Sequence, residues 1–112
     1  MSEVKLNRKL TLEEPVRVDD GAGGYQTSWQ ALGTLWGAIE PRTGREAGII
    51  GGSVSMARYR ITVRSAPVGA PSRPLAKQRL REGSRLFQIE AVTDSKAGAA
   101  YLTCFATEEV AQ

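Results

Sequence analysis

Apolar and polar residues alternate along most of this chain, and the alternation is broken at intervals by glycine and proline. In residues 9–18, Leu10, Leu12, Val16 and Val18 share one parity. Successive side chains of a strand point to opposite faces, so this segment reads as a half-buried strand. Pro15 lies on the other parity and has no N–H for a ladder, which places the strand at a sheet edge or a bulge. The following DDGAGG, residues 19–24, is the strongest turn signal in the chain, because Asp favours local side-chain turns and Gly accepts positive φ. Tyr25, Thr27 and Trp29 then alternate with Gln26, Ser28 and Gln30 as the returning arm of a hairpin. Gly33 interrupts, and residues 34–40 read as a third strand closed by Pro41. Gly37 inside it permits a bend or close packing.

Residues 42–53 form a long loop, with room for one helical turn over 42–47. The fourth strand, residues 56–64, puts Ala57, Tyr59, Ile61 and Val63 on one face and Arg58, Arg60, Thr62 and Arg64 on the other. One face is apolar and the other cationic. Pro67, Pro71 and Pro74 make the next connection stiff and irregular. Residues 76–81 read as a fifth strand with Lys77, Arg79 and Arg81 on one face. In residues 85–92 the parity slips between Ile89 and Val92, which predicts a bulge. Residues 100–107 are the last strand, and residues 1–5 and 108–112 are expected to be flexible ends. Six or seven short strands joined by turns define an all-β antiparallel barrel or sandwich, in one domain spanning 1–112.

Charge changes this picture. The whole chain carries +3, yet residues 42–85 hold ten of the fifteen basic residues and two of the twelve acids. That span is therefore +8 and the two ends together −5. Such a block attracts a polyanion or an acidic protein surface, unless folding brings the acidic ends against it. No apolar run approaches the ~18 residues of a membrane span, and no membrane partner is expected. The single Cys104, in the alternating YLTCFA, reads as a buried thiol of a protein made in a reducing cytoplasm.

Catalytic chemistry finds little support. The chain has no histidine, which excludes Ser-His-Asp and Cys-His arrangements and removes the commonest metal ligand. The 44–52 segment has no lysine for a phosphate loop, and Gly21-x-Gly23 lies in a hairpin without a third glycine at position 26. The adjacent pairs Glu13-Glu14 and Asp19-Asp20 diverge on a strand and make poor acid–base partners. No catalytic residue, metal site or cofactor is expected. Alternate arginines can meet a phosphate backbone without reading its sequence. Stacking platforms for single strands are lacking there: only Tyr59 lies among the arginines, on the opposite parity.

Residues 20–41, DGAGGYQTSWQALGTLWGAIEP, resemble the head–tail adaptor family of long-tailed phages and related gene transfer agents, also called stoppers or head-completion proteins. The resemblance rests on the Asp20-Gly21-Ala22-Gly23-Gly24 turn, Trp29, Trp36 and Pro41, with Gly37 standing where alanine is usual. It continues through Gly44-Arg45-Glu46, Arg58-Tyr59-Arg60-Ile61 and the strand from Gly83 to Val92, covering about residues 6–106. It implies a small β-barrel with one long loop between strands 3 and 4. Copies would form a homo-oligomeric ring beneath the portal or adaptor ring, with a tail terminator or tail-tube protein below. The location would be the head–tail interface of a virion or phage-like particle, reached from the host cytoplasm during assembly. The resemblance further implies that the loop projects into the channel and closes it behind packaged double-stranded DNA. By position the gate is Gly44, Gly48, Ile49, Ile50, Gly51 and Gly52, whose glycines allow several backbone states around an aliphatic pair. Arg42, Arg45, Arg58, Arg60 and Arg64 are the candidate contacts to DNA or to an acidic subunit. A rival reading is a free-standing nucleic-acid-binding barrel acting through the basic 42–85 block.

Overall fold

The computed structural model describes residues 4–42, 54–96 and 98–111. Six strands follow in order: β1 Arg8–Asp19, β2 Tyr25–Pro41, β3 Val54–Arg64, β4 Arg79–Glu82, β5 Arg85–Asp94 and β6 Tyr101–Ala111. Every pairing is antiparallel, and the order β1-β2-β3-β6-β5-β4 closes where β4 returns to β1. Of the barrel or sandwich that the alternation allowed, the fold is the all-β barrel. Its interior is filled by Leu10, Leu12, Ile61, Val63, Leu80, Phe87, Ile89, Leu102, Cys104 and Ala106. These are the inward parities of five strands, which is why a chain with so few aromatics still builds one continuous core.

The strand count is six because the second and third expected strands are one. Gly33 does not end β2; it sits opposite Leu12, and the register then shifts so that Glu13 faces Ala31. Leu32 is the extra residue of a bulge, and Gly33, with φ +153°, supplies a backbone geometry that side chains disfavour. The bulge lets one strand serve two neighbours: residues 25–37 pair with β1, and Gly37 to Pro41 pair with β3. Pro15 faces Trp29 in the part of β1 whose only neighbour is β2, the edge position its missing N–H requires.

The DDGAGG turn is built by its own acids. The Asp19 carboxylate accepts from the Gly21 N–H at 2.9 Å, and the Asp20 carboxylate from Ala22 and Gly24 at 2.8 and 3.1 Å. Gly21 and Gly23 take φ of +80° and +86°. Beyond Glu13, β1 and β2 leave the barrel as a two-stranded arm ending in this turn.

The parity slip in β5 is a bulge at Glu90, between Ile89 opposite Ala106 and Ala91 opposite Phe105. Two expectations need correction. The strand expected over 76–81 begins only at Arg79, because Lys77 adopts φ +77° and turns the chain before the ladder is set. Lys77 therefore does not share a strand face with Arg79 and Arg81. The last strand does not fray after Thr107: it pairs with β3 as far as Ala111 opposite Val54. Glu108, only 9% exposed, anchors that extension.

Candidate functional site

Folding separates two groups of arginines within the basic block. The first is consumed by the acidic ends of the chain. Arg79 and Arg81 donate to opposite oxygens of Glu13 at 2.6 and 2.9 Å, and Arg79 also lies 4.0 Å over the Trp29 ring. Arg85 grips Glu108 with two bonds of 2.8 and 2.9 Å and reaches the Tyr59 hydroxyl at 3.3 Å. Arg8 closes the opposite pairing, with two 2.6 Å bonds to Glu82. Such forked guanidinium–carboxylate contacts fix strand positions as well as charge.

The carboxyl groups respond accordingly. Burial alone would raise Glu13, but the hydrogen bonds and charge of Arg79 and Arg81 together hold it below its ordinary range. The Arg85 bond lowers Glu108, and the Arg8 bond lowers Glu82. Tyr59 is pushed up by burial and by the Glu108 carboxylate beside it. Cys104 lies in the core, where burial pushes its thiol up to about 12.

The second group lies on the outer face of β3. Ile61 and Val63 point inward, so Arg58, Arg60, Thr62 and Arg64 point outward, as their parity demands. Strand register sets their neighbours. Arg60 lies between Glu40 and Phe105, and Thr62 between Ala38 and Thr103. Arg58 faces Thr107 and Arg64 faces Tyr101. The guanidinium groups of Arg42 and Arg60 lie 5.1 and 5.9 Å from the Phe105 ring, and that of Arg64 lies 5.9 Å from Tyr101. Trp36, 51% exposed, lines a small pocket with Arg64 and Leu6. Arg42, Arg60 and Phe105 line a groove of about 710 Å³ together with Ala38, Thr62, Thr93 and Thr103. Lys5, Lys96, Glu40 and Asp94 stand along it.

The structure thus brings Arg42, Arg58, Arg60 and Arg64 to one face. Arg45 and the expected gate residues Gly44, Gly48, Ile49, Ile50, Gly51 and Gly52 lie outside the described residues. Sequence reasoning missed the aromatics of this face, because Tyr101 and Phe105 come from β6 and Trp36 from β2. The signal was present in β6, where Tyr101, Thr103 and Phe105 alternate with buried Leu102, Cys104 and Ala106. Which strand β6 would lie beside was not readable from local pattern. Among the described residues no group of three or more Cys, Asp and Glu is placed to hold a metal ion, and no helix is long and apolar enough to cross a membrane.

A small barrel braced by ion pairs, with an arginine–aromatic face and an exposed hairpin arm, is the form of a structural assembly module. The chain belongs to the phage head completion protein family, whose profile matches residues 1–109. This is a family of structural virion proteins, not of enzymes. A chain from the virion of a native gene transfer agent particle is 45% identical, with a TM-score of 0.81. That alignment covers 98% of this chain and 100% of the other. A protein of Shigella flexneri 2a, solved in solution, is 17% identical with a TM-score of 0.66 over 96% of both chains, and shares the fold. No curated protein matches the chain.

Proposed function

We propose that this chain is the stopper of a head–tail connector. Copies stand in a ring under the portal or its adaptor, close the DNA channel after packaging and offer the tail a docking surface. The observation that carries this reading is the 45% identical chain of a gene transfer agent virion, aligned over its full length. The gate is the glycine-rich segment between β2 and β3, with Ile49 and Ile50 meeting their counterparts around the axis. Arg58, Arg60 and Arg64 serve contacts with DNA or with an acidic neighbouring subunit.

The free-standing nucleic-acid binder is the weaker reading. Arg79, Arg81 and Arg85, which made the block look like a polyanion footprint, are engaged by Glu13 and Glu108. The decisive test replaces Ile49 and Ile50 by Asp. The monomer should fold with an unchanged melting temperature, while particles assembled with it lose their DNA after packaging, scored as nuclease-resistant DNA per particle. Normal retention would remove the gate from the proposal.

A further inference from the structure

The ring reading gives the β3 arginines DNA or an acidic neighbouring subunit without naming the surface they meet, and the exposed tip of the β1–β2 arm complements them. We infer that the acidic tip of the β1–β2 arm of one copy docks on the outer β3 face of the next. This inference rests on the ring proposed above.

The arm is the first observation. Residues 14–19 of β1 pair only with β2, so the arm is a lone ribbon about 20 Å long. Two-stranded ribbons are marginal in water without something to cover them. This one exposes Val18 by 40% and Tyr25 by 63%, with Arg17 4.3 Å over the Tyr25 ring. At its end Asp19 and Asp20 each use one carboxylate oxygen on the turn, and the described residues give neither a cation. The turn is therefore a pre-shaped loop carrying two carboxylates that form no ion pair among the described residues.

The receiving face is the second. Arg58, Arg60 and Arg64 form no ion pair among the described residues, whereas Arg8, Arg79, Arg81 and Arg85 all do. The groove beside them is lined by small side chains and by Phe105. Arginine beside Tyr, Phe and Trp is the composition of a protein interface centre. Lys5 and Lys96 stand along the same groove with Arg60 and outnumber its two carboxylates, Glu40 and Asp94, so the groove suits an acidic tip. Neither surface covers the other within one chain, since the tip is exposed. A contact between different patches of identical copies is heterologous, and such contacts generate rings when the rotation between copies closes.

Cysteine pairing tests this directly, because the native Cys104 thiol is buried and inert. Ala22→Cys at the tip and Thr107→Cys beside Arg58 leave every charge of the contact in place. In oxidised particles the double variant should give a ladder of covalent oligomers on non-reducing gels, and each single variant only monomer. A ladder with a short amine cross-linker but none with the cysteine pair would overturn the contact and leave the ring standing. No ladder with either would overturn the ring and the contact together. Should the double variant not assemble, Ala22→Cys alone carrying a benzophenone maleimide gives the same answer. Photo-adducts on β3 or β6 of a neighbouring copy support the contact, and adducts confined to other strands or to DNA overturn it.

Discussion

Glu13 sits 5% exposed between two arginines, at the point where β1 leaves the barrel for the arm. Its two oxygens are divided between Arg79 and Arg81, so one carboxylate joins β1 to the first and third residues of the short β4. Glu13→Ala should lower stability by about 2 kcal/mol, because hydrogen bonds to charged groups are lost and two guanidiniums remain without their partner. Chemical denaturation at neutral pH measures this, and a change within error would show the pairs to be incidental. Acid should act through the same groups. Glu13, Glu82 and Glu108 are all held below the ordinary carboxyl value of 4.5 in the fold. A depressed folded pKa gives stability that is complete above the unfolded value and is lost as pH falls through the folded one. The melting temperature should therefore be insensitive to these groups above about pH 5 and fall below about pH 4.5. Glu13→Gln should flatten that acid limb.

In β2, two glycines solve different problems. Gly33 carries the bulge that turns one strand from β1 to β3, and Gly37 is the residue of β2 paired on both sides, with Arg8 of β1 and Val63 of β3. A Cβ at Gly37 would meet Leu10 Cδ1 at 2.9 Å, the Thr62 carbonyl oxygen at 3.1 Å and Val63 Cγ1 at 3.3 Å. Gly37→Val should cost about 1–3 kcal/mol through overpacking against a backbone that cannot withdraw. Gly37→Ala should cost less, and should be partly relieved by Leu10→Val, since Leu10 is the closest and most pliable neighbour. Thermal melts of the three variants decide this. The same strand shows what was legible in the sequence. Alternation exposed the inward residues Leu10, Leu12, Ile61 and Val63, and the parity slip exposed the bulge in β5. It also showed which arginines face out. What it could not show was partnership across strands: Gly33 looks alike as a break and as a bulge, and Lys77 carries no mark of its left-handed backbone. Neither Glu13 nor Glu108 announced the arginine it would bind, because those contacts join residues 66 and 23 positions apart. The aromatic half of the β3 face was hidden for the same reason.

At the scale of the molecule, the sorting of charge is the main consequence of the fold. The acidic ends return to neutralise Arg79, Arg81 and Arg85, which act as braces of the barrel. Arg58, Arg60 and Arg64 remain outward on one strand, beside aromatics, while the acids of the DDGAGG turn lie at the end of an arm. A chain so divided suits repeated copies better than a solitary binder. Cryo-electron microscopy of the DNA-filled particle is the most direct measure of that claim. The account predicts a closed ring of this chain between portal and tail, with residues 43–53 nearest the axis and in density that blocks the channel. Single scattered copies, or a ring with those residues turned away from the axis, would contradict it.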